Sequence, residues 1–334
     1  MRALVNRRSL IRQGLLGTAL LGLTVSVTAQ DRISPELQAL ARQQAQIQVA
    51  GDTRPNTPGT GPYAAVVETD PTLANHVIYR PADIKALGSR KLGVMVWGNG
   101  GCRADGASAR FHLAEIASHG YLVIAPGQIY SGPGALPKPP EPPRGADGKY
   151  PPPATTFEDM RAGIDWALAE NRRSGSRYKG KIDPAQIAVA GHSCGGLQAL
   201  QLAADPRVKA VLIHNSGIFN SGQSSITGLT LEKTQLDALH TPVIYILGGA
   251  ADIAFPNGTD DFRRITKVPA VLLNLPVGHG GTFHEINGGA VAQVAVDWLQ
   301  WQLRGDGTAA RTFTGGNCRL CQQTNWTIEK KQIP

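Results

Sequence analysis

The sequence predicts an α/β domain built on a mostly parallel, eight-stranded sheet flanked by helices. Short apolar, β-rich runs recur along the chain, and amphipathic helical segments separate the later ones, as crossovers between parallel strands require. With 334 residues and 42% hydrophobic content, the chain is also long enough to bury one large core. A single main domain is expected over residues 61–305.

The chain opens with Arg7, Arg8 and Arg12, an apolar stretch from Gly14 to Val27, and the small-residue run Val27-Thr28-Ala29. This pattern predicts an export signal of the twin-arginine type over residues 1–29, with Gln30 as the mature N-terminus and a periplasmic or secreted product. The rival reading is an uncleaved anchor, although the stretch is short and glycine-broken for a membrane span. No stable membrane insertion is expected after cleavage. Arg2, Arg7, Arg8 and Arg12 all lie in the leader, so the formal charge of +8 halves to +4 without it. No basic cluster remains that would suggest a nucleic-acid groove, whereas a mildly basic exported protein can associate with anionic wall polymers.

Residues 30–60 read as a helical fragment followed by a loose polar lead-in. Strands are then expected at Tyr63–Val67, His76–Tyr79, Leu92–Trp97, Tyr121–Ala125, Ile187–Ala190, Val208–Ile213, Val243–Leu247 and Val271–Leu275. The clearest helix is Phe157–Ala169, with Phe157, Met160, Ile164 and Leu168 on one face and Thr155 with Glu158 as a capping box. A second helix, Gly288–Leu303, carries Val291, Val294, Trp298, Leu299 and Leu303 on its apolar side. Between the fourth strand and the Phe157 helix lies a proline-rich insertion, residues 131–153, which can be neither helix nor central strand. It is either a wall of the substrate site or a solvated loop. Residues 306–334 form a C-terminal tail.

The strongest chemical signal is Gly191-His192-Ser193-Cys194-Gly195, an apolar run that breaks sharply and continues into a helix-compatible segment. A serine hydroxyl is a weak nucleophile, so acyl transfer needs it on a tight strand-to-helix turn with a base, a carboxylate to orient that base, and oxyanion donors. The chain supplies them in the order Ser, Asp, His. Asp252 follows the strand Val243–Leu247, and His279 sits in the flexible Pro276–Gly281 loop after the next strand. Rivals are Asp260 and Asp261 for the acid and His284 and His214 for the base. For the oxyanion, Leu92–Trp97 runs into Gly98-Asn99-Gly100-Gly101, which offers the amide of Asn99 or Gly100, and the second donor is the amide of Cys194. A phosphate-cradling loop is the alternative for this glycine cluster, but neither phosphate-loop spacing is present. His192, Trp97, Gln128 and Tyr130 occupy positions that can line the substrate cleft, as does the run Asn215-Ser216-Gly217.

Four cysteines are present in a chain with an export signal, where disulfides persist. Cys318 and Cys321 form a C-x-x-C with no second half of a zinc site, which points to a local disulfide. Cys102 and Cys194 lie in two segments that such a fold brings together, as a bridge or as two buried thiols.

Taken together, Gly191-His192-Ser193-Cys194-Gly195-Gly196, Gly249-Ala250-Ala251-Asp252-Ile253-Ala254 and Gly278-His279-Gly280-Gly281 resemble the cutinase, polyester hydrolase and dienelactone-hydrolase branch of the α/β-hydrolases. The resemblance spans roughly residues 60–305. It implies an α/β-hydrolase fold and a carboxylic-ester hydrolase that needs no cofactor or metal, with Ser193 as nucleophile, His279 as base and Asp252 as orienter. His192 and Cys194 in the elbow, the proline-rich insertion and the cysteine-containing tail depart from the cutinase-like pattern. A small-ester or wall-polymer esterase therefore ranks ahead of a polyester hydrolase, a serine peptidase on short peptides, and a non-catalytic polymer-binding member of the fold.

Overall fold

The structure, a computed structural model, describes Gln46 and residues 53–334. The expected export signal, residues 1–29, and most of the expected helical fragment lie outside the described residues. The central element is a nine-stranded sheet in the order β1-β2-β4-β3-β5-β6-β7-β8-β9. The strands are β1 (Ala65–Asp70), β2 (Leu73–Pro81), β3 (Leu92–Gly98), β4 (Tyr121–Pro126), β5 (Ile182–His192), β6 (Ala210–His214), β7 (Val243–Leu247), β8 (Ala270–Asn274) and β9 (Thr327–Lys331). Strands β3 to β8 run parallel, while β1, β2 and β9 pair antiparallel at the two edges. All eight expected strands are present, shifted by a few residues at their ends. The ninth comes from the tail, where the alternation in Thr327-Ile328-Glu329-Lys330-Lys331 is dominated by charged side chains suited to an exposed edge.

The parallel strands are almost wholly apolar and buried, because helices cover both faces. Helices α1 (Arg110–Ser118) and α5 (Gly289–Arg304) pack on one face, with Leu113, Val291, Val294 and Trp298 against Met95, Ala190 and Leu212. Helices α2 (Phe157–Glu170), α3 (Cys194–Leu202) and α4 (Phe255–Arg264) cover the other, with Met160, Ile164, Leu197 and Phe262 against Val96, Val189 and Leu247. Helix α2 begins at Phe157 as expected, but its cap lies one residue later than the expected Thr155. Thr156 is the N-cap, and the Asp159 carboxylate accepts its amide at 2.7 Å and its hydroxyl at 3.3 Å. Thr155 is buried instead, its amide and hydroxyl both donating to the Cys102 carbonyl.

The lead-in from residue 54 onward is not loose. Thr60 donates its amide and hydroxyl to the Glu115 carboxylate at 2.8 and 2.5 Å, the Gly61 amide donates to Ser118 Oγ, and Arg110 reaches back to Asn56 and the Arg54 carbonyl. Its polar residues satisfy polar groups of α1, a role that composition alone does not reveal.

Behind the sheet on the α1 face, Trp97, His112 and His214 meet with Phe283, their ring centroids 5.1–5.7 Å apart. Both histidines are fully buried, and none of their ring nitrogens has a hydrogen-bond partner among the described residues. Burial drives the His112 pKa down to about 3 and that of His214 well below its ordinary value. The unfolded chain therefore takes up protons near pH 6.5 that the folded chain refuses. Stability is full above that pH and falls as the solution is acidified, by about 1.4 kcal/mol per pH unit for each such histidine. Urea unfolding at pH 7.5 and pH 5 should show this loss, and His112→Phe, which keeps the aromatic contacts, should flatten the slope by one proton. An unchanged slope in that variant would contradict this account of the cluster.

Candidate functional site

The carboxyl ends of β5, β7 and β8 bring three expected residues together. Ser193 is the single residue between β5 and α3, at φ 53° and ψ −120°, a conformation an L-residue adopts only under constraint from its surroundings. Space for the turn comes from glycine. A Cβ at Gly191 would overlap the Gly195 backbone, and one at Gly195 would overlap Gly98 and the Asn99 amide. The turn is fastened by Ser193 N–H donating to the His214 carbonyl at 3.0 Å and by Ser216 Oγ donating to the Ser193 carbonyl at 2.6 Å.

His279 lies with Nε2 2.9 Å from Ser193 Oγ and Nδ1 2.6 Å from Asp252 Oδ1. An ionised carboxylate only accepts hydrogen bonds, so Nδ1 carries the ring proton and Nε2 presents its lone pair to the hydroxyl. The Asp252 side chain is fully buried. Its Oδ1 also accepts the Ala254 amide, and its Oδ2 accepts the Gly248 amide at 3.0 Å and Asn215 Nδ2 at 2.9 Å. Burial by itself raises the carboxyl pKa, but the His279 hydrogen bond and charge together with the two amides hold it below its ordinary value.

Asn215 was expected only among cleft-lining residues. It holds a positive φ of 45° at the end of β6, and its amide donates both to Asp252 and to the Gly278 carbonyl at 3.1 Å. One side chain thereby joins the loops that carry Asp252 and His279. His192 has a related place. Its Nε2 donates to the His279 carbonyl at 2.8 Å, its ring lies 5.2 Å from that of His279, and its Nδ1 faces Gly100. Burial, then the neighbouring His279, lowers the His192 pKa to about 3, so it stays neutral. An Asn just beyond a strand end, or a His as a strand's last residue, is the sequence sign of these roles, and it does not name the partner.

Three of the four rivals lie elsewhere, while His284 is near enough to His192 to act on it electrostatically. Asp261 is buried on α4, accepting from Lys233, the Ile218 amide and the Tyr245 hydroxyl, while Asp260 pairs with Lys233 and Arg264. The His214 ring is in the buried aromatic cluster, and the His284 carbonyl receives the Arg54 guanidinium. One expected cleft residue lies away from the cleft. Trp97 is fully buried against His112 and His214, because the alternation of β3 turns it under the sheet. Gln128 donates to Asn75 of β2, on the side of β4 away from β5. Tyr130 is half-buried, with its amide donating to Asp105.

Beside Ser193, Gly100–Cys102 forms a short 3-10 segment after β3, kinked at Gly101 with φ 64°, and Cys102 is joined to Cys194 by a disulfide with Cα atoms 5.2 Å apart. As first residues of helical turns, neither Gly100 nor Cys194 has an acceptor for its amide within its own helix. Asn99 is fully buried, its side chain donating to the Arg103 and Pro126 carbonyls. Cys318 and Cys321 form the second, local disulfide in the tail. The proline-rich insertion runs from Ser131, bound to Asp105, through an Arg103–Glu141 ion pair, to Tyr150, which pairs with Ser225 and Thr227 in the loop after β6. In the sheet, β3 and β5 lie between the two loops it connects.

Among the described residues no helix is long and apolar enough to cross a membrane, and no group of three or more His, Cys, Asp or Glu could hold a metal ion. Removing the Asn215 amide leaves Asp252 Oδ2 short of a partner. Asn215→Gly, which keeps the positive φ, should lower stability by about 1–3 kcal/mol in urea unfolding. Asn215→Asp should cost more at neutral pH, because it sets a second carboxylate against Asp252, with the gap closing in acid. Equal losses in the two variants at every pH would refute this. A model of the dienelactone hydrolase family matches residues 96–284, more than half of the chain, and no curated protein matches it.

Proposed function

We propose that this chain, which belongs to the dienelactone hydrolase family of the α/β-hydrolase superfamily, is an exported serine hydrolase that cleaves carboxylic esters through an acyl-enzyme. The observation that carries this reading is the unbroken hydrogen-bonded line from Ser193 Oγ through His279 to the buried Asp252. Cys194, the thiol residue nearest the elbow tip, is engaged in a disulfide, which favours the serine over a cysteine as nucleophile.

In this reading Ser193 Oγ attacks the ester carbonyl carbon while its proton passes to His279 Nε2. The imidazolium is stabilised by Asp252, which stays ionised. Negative charge develops on the carbonyl oxygen and is met by the amides of Cys194 and Gly100, the part-exposed member of the Asn99–Gly100 pair, with the positive end of α3 behind the former. The alcohol leaves with the proton from His279, and an acyl group remains on Ser193. Water then attacks that acyl carbon, giving its proton to His279. The acid departs as Ser193 Oγ regains the proton.

The substrate class proposed is a small ester or the acyl groups of a wall polymer. The two disulfides favour the oxidising compartment to which an export signal would lead. The proline-rich insertion supports a wall over one side of the site, because it ties the β4 loop to the β6 loop across the ends of β3 and β5.

Hydrolysis of p-nitrophenyl esters from acetate to decanoate, and of a feruloyl ester, should be seen with the mature protein. Ser193→Ala and Asp252→Asn should each lower kcat by about 10⁴-fold, the second through the wrong histidine tautomer. A rate like that of the unaltered protein in either variant would remove the assignment. Replacing residues 136–148 by a short Gly-Ser link should leave acetate hydrolysis within about threefold and change kcat/KM for the decanoate or feruloyl ester by about tenfold or more. Equal effects on short and long esters would argue against a wall.

A further inference from the structure

The Cys102–Cys194 disulfide lies where the sequence of a stabilising cross-link alone would not require it. One sulfur belongs to the residue directly after Ser193, and the other closes the 3-10 turn that begins at Gly100. These are the two segments that supply the oxyanion amides in the function proposed above. We infer that this disulfide is a positioning element for turnover, a covalent clamp that fixes the distance between the Gly100 and Cys194 amides.

Three observations support the inference. Both ends of the bridge are attached to backbone in a disfavoured conformation, because Cys102 has φ 49° and Ser193, next to Cys194, has φ 53°. Such residues relax unless their surroundings hold them. The segment leading into the turn that carries Cys102 meets α3 through backbone, with Gly98 and the Asn99 amide against Gly195. Gly100 and Gly101 have no side chains, and the Asn99 side chain is directed to Arg103 and Pro126 rather than to the elbow. Finally, the Cys102 carbonyl accepts the amides of Ala154 and Thr155 at 3.0 and 3.1 Å, and the Thr155 carbonyl accepts from Gln198 of α3, a relay of hydrogen bonds that is longer than the direct sulfur bridge. Without the sulfur bridge, the positive φ of Cys102 is free to relax, and no covalent bond fixes the spacing of the Gly100 and Cys194 amides. Both cysteines are buried, at 0% and 3% exposure, so the bond is protected in the folded protein.

A purely structural cross-link and a clamp differ in what they change. The former contributes to stability by restricting the unfolded chain, and its loss lowers Tm while leaving the folded site intact. The latter acts on the transition state, because the oxyanion forms there and not in the bound ester.

The test is the double variant Cys102→Ala, Cys194→Ala, assayed on p-nitrophenyl acetate well below its Tm, with Cys318→Ser, Cys321→Ser as the control that loses the other disulfide. The clamp predicts that kcat falls about tenfold or more with KM within about twofold, and that affinity for a trifluoromethyl ketone or boronic acid inhibitor falls by a similar factor. The control should keep both. The ratio of inhibitor affinity to KM does not depend on the fraction folded, and Cys102→Val, Cys194→Ala restores core volume should the first pair fold poorly. A lower Tm with kcat and inhibitor affinity unchanged would overturn the clamp. That outcome would leave the serine assignment standing, since that assignment is tested separately by Ser193→Ala.

Discussion

Everything at the site depends on holding one serine at a positive φ between the central strand and a helix. A residue in that conformation costs on the order of 1–3 kcal/mol, and it persists only if its neighbours determine it several times over. Here they do. The amide of Ser193 is bound by the His214 carbonyl of the adjacent strand, and its carbonyl receives the Ser216 hydroxyl together with the amides of Gly196 and Leu197. The backbones of Gly98, Gly191 and Gly195 close around the turn at distances no side chain would allow. Strand β5 sits inside the sheet between β3 and β6, so the strain is set against a well-packed parallel core.

The loops around the elbow are coupled through one buried carboxylate. Asp252 satisfies His279, Gly248, Ala254 and Asn215 at once, which is what permits an ionised group to remain away from water. Asn215 extends the coupling to Gly278, and His192 ties the His279 backbone to the vicinity of Gly100. The ends of β6, β7 and β8 are thus held by polar contacts that a flexible glycine-rich loop could not provide alone. This arrangement fixes the side of His279 that meets Ser193 while leaving its side chain about one quarter exposed, at 27%.

The fold was readable because parallel strands buried on both faces leave continuous apolar runs, and the elbow because its glycines are demanded by close backbone contact. The order Ser193, Asp252, His279 was readable because each follows a strand. What escaped were features decided by partners distant in sequence. Trp97 looks available at a strand end, but its register turns it under the sheet against His112 and His214. Gln128 is drawn to Asn75 by an antiparallel edge whose pairing the sequence does not state. Asn215 and His192 carry no local sign of bonding Asp252 and His279, and the polar lead-in shows its order through Glu115, Ser118 and Arg110, which lie far along the chain. The Thr156 cap was displaced by one residue because Thr155 is taken by the Cys102 carbonyl.

The most direct measurement of the central claim is the reaction of the mature protein with a fluorophosphonate, followed by mass spectrometry of its peptides. An activated Ser193 should be labelled rapidly and stoichiometrically on that residue alone, and His279→Ala should slow the labelling by several orders of magnitude. No adduct on the folded protein, or an adduct on another residue formed equally fast without His279, would contradict the account.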